Sequence, residues 1–164
     1  MDNQKAKFSL IYDQFVNKIY RFVFIKVNSS ELAEDITSET FTRCWESVKN
    51  GKDIQNVQAF LYRIARNLVT DQYRQNAQAQ FVSLENAPQM RDTEKGLEEM
   101  AMLTSDVDRV KAALANINDN YRDIIIWYYL DEFTVPEIAR ILNKSEEAVR
   151  VQIHRAINAL REKI

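Results

Sequence analysis

Near the C-terminal end of this chain, Arg150, His154, Arg155 and Asn158 fall on one arc of a helical wheel, with Glu147 and Val151 between them. Val149, Ile153, Ala156 and Leu160 take the opposite arc. Two guanidiniums, an imidazole and an amide on one exposed helix face are groups that reach base edges and phosphates when the helix lies in a DNA major groove. The stretch 143–164 holds five basic residues (Lys144, Arg150, Arg155, Arg161, Lys163) against three acids (Glu146, Glu147, Glu162). The whole chain carries a net charge of −2, so it is no general polyanion binder. A solvated face of an amphipathic hairpin has the same periodicity, and spacing alone leaves both readings open.

Other chemistries find no residues to carry them. His154 is the single histidine and Cys44 the single cysteine, which leaves no zinc set and no intrachain disulfide. Gly51 and Gly96 are isolated, so no phosphate-cradling loop is expected. The adjacent acids Glu34 and Asp35 lie in a helical pattern with no partnering base. No catalytic residue, metal, cofactor or small-molecule substrate is therefore expected. Cys44 sits beside Trp45 in an apolar stripe and reads as a buried thiol in a reducing compartment. The stretch Met1-Asp2-Asn3-Gln4-Lys5 is polar and lacks a signal-peptide core. The longest apolar run, Ile124-Ile125-Ile126-Trp127-Tyr128-Tyr129-Leu130, is far below the roughly 20 residues of a membrane span. A cytoplasmic protein without membrane insertion is the expectation.

The elements that must position these residues are helices. Glycine and proline occur twice each in 164 residues, and apolar residues recur at helical spacing in two blocks. The expected fold is all-α, with two small helical domains joined by a flexible acidic linker. The first, residues 1–75, has three apolar stripes: Phe8 to Ile25, Leu32 to Val48, and Val57 to Val69. Ser30 and Asn56 are the expected caps of the second and third helices. The linker, residues 76–106, begins with a polar run; from Glu85 to Asp108 seven acids face Arg91 and Lys95, and a helix is expected to start near Glu94. The second domain, residues 107–164, ends in a helix-turn-helix. Thr134 and Glu137 have capping-box spacing, Asn143 suits a left-handed helix end, and Ser145 caps the last helix.

Three segments, in this order and spacing, resemble the extracytoplasmic-function (ECF) group of sigma factors in the sigma-70 superfamily. They are Ala33-Glu34-Asp35-Ile36-Thr37-Ser38-Glu39-Thr40-Phe41, Ala59-Phe60-Leu61-Tyr62-Arg63-Ile64-Ala65-Arg66-Asn67, and Glu137-Ile138-Ala139 through Val149-Arg150 to His154-Arg155-Ala156. The resemblance implies a transcription initiation factor that binds core RNA polymerase, directs it to promoter DNA and assists melting. It implies polymerase contacts at Asp35, Ser38, Glu39 and Phe41, where the family often has glutamine in place of Ser38. It implies minus-ten contacts at Lys49, Asn50, Lys52, Arg63, Arg66, Asn67 and Arg74, with Lys49, Asn50 and Lys52 lining a pocket for an extruded base. It implies minus-thirty-five contacts at Arg150, Gln152, His154 and Arg155, with Val151 and Gln152 departing from the small polar and basic residues frequent there. Tyr62 and Tyr73 are read as core rather than as base-stacking groups. An anti-sigma partner is a further implication. Two other classes remain open: a stand-alone helix-turn-helix regulator, and a helical adaptor that does not touch DNA.

Overall fold

The computed structural model describes residues 2–83 and 106–164. The acidic stretch and the helix expected near Glu94 lie outside the described residues. Helix α1 (Asp2–Val27) ends where Asn28 turns left-handed. Helix α2 (Ser30–Lys49) is capped by Ser29, not Ser30: the Ser29 hydroxyl accepts from the Leu32 amide at 3.3 Å, which puts Ser30 at the first helical position. Helix α3 (Val57–Ser83) starts on the Asn56 side chain, which accepts from the Ala59 amide at 2.9 Å, and runs on beyond Gln75, where the sequence stripe fades. The second block comprises α4 (Asp106–Ala115), α5 (Asp119–Ile125), a π-helical turn (Ile126–Leu130), α6 (Val135–Leu142) and α7 (Glu146–Lys163).

The two blocks share one core. Ile19, Phe22, Cys44, Leu61, Tyr62 and Val69 of the first block pack in one cluster with Ile126, Trp127, Phe133, Ile138 and Val149 of the second. A smaller cluster belongs to the second block alone: Leu114, Ile117, Ile124, Ile125 and Ala156. The segment from Ile124 to Trp127 thus lies between two cores, which explains four consecutive buried residues on a helical stretch. A π turn follows: the Asp131 amide donates to the Ile126 carbonyl, one residue further back than in an α-helix. Trp127 is fully buried, stacked on Phe22 at 5.6 Å and edge-on to Tyr62 at 6.0 Å. Such pairs each contribute about 0.5–1.5 kcal/mol beyond area burial. Cys44 is buried, as expected, and burial pushes its thiol pKa up.

Ion pairs cross the same interface. Lys26 of α1, fully buried at its side chain, pairs with Asp123 and lies 3.0 Å from Asp119 on α5. Arg66 of α3 approaches Asp123 at 3.6 Å. Tyr73 donates to the Lys26 carbonyl at 2.8 Å and accepts from Arg122 at 3.2 Å. Arg122 also donates to the Leu114, Ala115 and Ile117 carbonyls, satisfying the open end of α4. Burial pushes the Asp123 carboxyl up to about 6; Asp119 adds to the rise, while Lys26 and Arg66 oppose it. Burial also raises Asp131, against its pairing with Arg21.

Trp127→Ala is expected to cost about 3–5 kcal/mol in urea denaturation, because it removes the largest side chain of the shared core. A loss under about 1 kcal/mol contradicts that role. A second outcome concerns pH. Asp123 is faced by Lys26 from α1, by Arg66 and Tyr73 from α3, and by Asp119 on its own helix. Its native pKa lies above the unfolded value, so the native state holds more protons between about pH 4 and 6, and its contribution falls as pH rises through that window. The stability of the native chain relative to Asp123→Asn should therefore fall from pH 4 to 6 and stay level above. A native chain that gains stability relative to Asp123→Asn over that window contradicts burial as the dominant influence.

Candidate nucleic-acid interface

The helix-turn-helix is built from three local devices. The Thr134 hydroxyl accepts from the Glu137 amide at 3.3 Å, and the Glu137 carboxylate accepts from the Thr134 amide at 3.0 Å, a complete capping box. Burial alone would raise the Glu137 pKa, but hydrogen bonds from Thr134 and Gln58 hold it below the usual value. Asn143 closes α6 in the left-handed region, at φ 53° and ψ 49°. The Ser145 hydroxyl then accepts from the Ala148 amide at 3.2 Å and starts α7. Val149 and Ala156 of α7 are buried, which turns Arg150, Val151, His154, Arg155 and Asn158 to solvent. Arg150 lies 3.9 Å from Glu146, an exposed pair that a phosphate can displace at little cost. Gln152 is half-buried on the flank of this arc, apart from the other three predicted contacts. Arg150 and His154 also border a shallow groove with Tyr128 and Tyr129.

On α2, Asp35, Ser38 and Glu39 form an exposed acidic arc, with Glu39 accepting from Arg43 at 3.0 Å. Phe41 differs from its companions. It is 3 % exposed, its ring 5.0 Å from Tyr12 and 6.5 Å from Phe8. It floors a groove of about 620 Å³ between α1 and α2, walled by Tyr12, Tyr20, Ser38 and Trp45, so any contact it makes is through that groove.

The third set divides. Lys49, Asn50 and Lys52 are exposed at the end of α2 and the loop after it, with the Lys52 ammonium 5.1 Å from the Phe60 ring centre. Asn67 and Arg74 are exposed on α3, Arg74 lying 4.0 Å from Asp71. Arg63 and Arg66 turn towards the second block. Arg63 Nε donates to the Ile141 carbonyl at 3.0 Å and its Nη2 to the Arg140 carbonyl, both at the C-terminal end of α6. Arg66 is drawn to Asp123. Tyr62 is fully buried, its hydroxyl donating to Asp131 at 3.3 Å, and Tyr73 packs against the shared core. Burial raises the Tyr62 pKa, and the Asp131 charge adds to the rise.

Sequence reasoning passed over the polar groups that join the blocks: Lys26, Asp123, Asp131, and the Gln58–Glu137 hydrogen bond at 2.8 Å. A signal was present for two of them. Lys26 closes the run Phe22-Val23-Phe24-Ile25, and Asp123 opens the run Ile124-Ile125-Ile126-Trp127, and a charge inside an apolar stretch asks for a buried partner.

The chain matches the family model described as sigma-70 region 2 over residues 11–79 and the one described as sigma-70 region 4 over residues 108–160. It is similar to the ECF RNA polymerase sigma factor BldN of Streptomyces coelicolor, 27% identical over 93% of this chain and 58% of BldN. It is also similar to the ECF RNA polymerase sigma factor ShbA of Streptomyces griseus, 30% identical over 82% of this chain and 72% of ShbA. Its fold is similar to that of CnrH, solved in complex with the cytosolic domain of CnrY, with a TM-score of 0.68 and 20% identity over 96% of this chain and 87% of that one. Two sigma-70 regions in this order, together with the likeness to ShbA, show that the chain belongs to the ECF RNA polymerase sigma factors of the sigma-70 superfamily.

Proposed function

We propose that this chain selects promoters for core RNA polymerase through two separate DNA-reading surfaces and supplies no RNA synthesis chemistry of its own. In this reading residues 1–75 act as the region 2 unit and residues 107–164 as the region 4 unit. The observation that carries it is the exposed arc of α7, Arg150, His154 and Arg155, held by a capped helix-turn-helix in the same chain as the exposed acidic arc of α2. Asp35, Ser38 and Glu39 are assigned to polymerase, with Phe41 supporting the groove beside them. The α7 arc is assigned to the minus-thirty-five element, with Gln152 at its edge. Lys49, Asn50 and Lys52 are assigned to an extruded base, Asn67 to bases at the edge of melting, and Arg63, Arg66 and Arg74 to phosphates. A base pocket recovers part of the unstacking energy that melting costs. The partners in this reading are core polymerase, promoter DNA and an anti-sigma protein, all met in the cytoplasm. The net charge of −2 supports weak DNA binding by the chain alone, falling further with salt. Polymerase then brings both readers to one duplex, where their contributions combine through effective concentration.

Run-off transcription with core polymerase from the source bacterium, on a library of its upstream regions, should yield discrete starts that need this chain. Reversing Arg150 and Arg155 to Glu should abolish them while polymerase still co-purifies with the chain. Reversing Asp35 and Glu39 to Lys should instead weaken co-purification by about tenfold or more, a loss of at least ~1.4 kcal/mol. No dependent starts from folded, inhibitor-free protein would falsify the proposal.

A further inference from the structure

The exposed arc of α7 is polar except at its centre. Val151 is 48 % exposed, and among the described residues of α7 it is the one large apolar side chain left in solvent. It belongs to neither apolar cluster, so no packing requirement of the fold places a valine there. Helix stability does not ask for it either, because a β-branched residue is a poorer helix former than arginine or glutamate. Single exposed apolar residues are common on protein surfaces and by themselves mean little. This one is set apart by its neighbours. Glu147 and Arg155 lie four residues to either side and His154 three residues after, which makes all three adjacent to it on the helix surface. Gln152, next in the chain, turns to the half-buried flank. A duplex that meets Arg150, His154 and Arg155 therefore meets Val151 between them.

What a valine can meet in a major groove is restricted. Base edges present donors and acceptors, and a valine laid over one of them removes water without replacing its hydrogen bond. The apolar group that projects from a base edge into the groove is the C5 methyl of thymine. Valine suits it. Branching at Cβ holds the side chain in one dominant rotamer on a helix, so its two methyls are in place before contact and lose little freedom on binding. We infer that Val151 is a specificity-determining residue: it reads the C5 methyl of a thymine in the minus-thirty-five element and gives this chain a preference for a T·A pair at that point. The inference rests on the assignment of α7 to that element. It deepens the assignment by naming a base and the atom on it that is read.

The test uses holoenzyme reconstituted from core polymerase and the full chain, on a promoter recovered from the run-off library. Each thymine of the minus-thirty-five element, on either strand, is replaced in turn by deoxyuridine, which lacks the C5 methyl and keeps every hydrogen-bonding group. At one position, or two adjacent ones, the replacement should weaken holoenzyme binding by about threefold to tenfold, the scale of one buried methyl group. Val151→Ser removes both methyls, and serine is close to valine in helix propensity, so α7 stays folded. The variant holoenzyme should bind the thymine and deoxyuridine fragments equally. Equal binding of both fragments by the native chain at every position, with starts still lost when Arg150 and Arg155 are reversed to Glu, overturns the methyl contact and leaves the assignment of α7 standing. So does an undiminished deoxyuridine effect in Val151→Ser, or an element with no thymine on either strand. Starts indifferent to the reversal of Arg150 and Arg155 overturn the assignment and the inference with it.

Discussion

Everything else in this molecule depends on where Trp127 goes. It leaves the second block's own small core and inserts between Phe22 and Tyr62 of the first, so that one continuous apolar cluster runs from α1 to α7. A chain of this length divided into two separate cores would give each a thin margin of buried surface. Pooling them removes that weakness, but it also fixes the blocks in one arrangement. Ile124 and Ile125 face one core while Ile126 and Trp127 face the other, because positions two apart on a helix point to nearly opposite sides.

Around that wedge the polar groups are arranged in a way that hydrophobic packing alone does not require. Burying Lys26 and Asp123 costs desolvation that their attraction offsets only in good geometry, so the pair adds little net stability, while removing one partner leaves a buried charge uncompensated. The same holds for Asp131, which takes the Arg21 guanidinium and the Tyr62 hydroxyl. These contacts specify one registry between the blocks. Asp123 also draws Arg66 of α3 towards the second block.

Local structure was legible in the sequence wherever a single residue type carries a conformational requirement. Thr134 with Glu137, Asn143 and Ser145 mark the helix-turn-helix because each satisfies backbone groups that nothing else nearby serves. The outward arc of α7 follows from Val149 and Ala156 facing inward. Choices between near-equals were not legible: Ser29 and Ser30 are equally good caps, and only the exit angle of α1 after Asn28 decides for Ser29. Phe41 was legible as core, since it falls on the apolar stripe of α2 with Ile36, Cys44 and Val48, and it packs inward against Tyr12. The pairing of the blocks is a long-range property. An arginine on a helix reads as a phosphate contact whether or not a helix end is already seated against it.

The central claim is that one chain reads DNA with two surfaces, α7 and the α3 face, when both are docked on polymerase. The most direct measurement is site-specific photocrosslinking in reconstituted holoenzyme on a promoter fragment. The photoreactive phenylalanine analogue p-benzoylphenylalanine would replace Val151, at the centre of the exposed arc of α7, or Gln75, just beyond Arg74 on α3. The account predicts crosslinks to the same fragment at two separated places, with the α7 position upstream of the α3 position and both lost without polymerase. Crosslinks from only one position, or from both at a single place without polymerase, would contradict it.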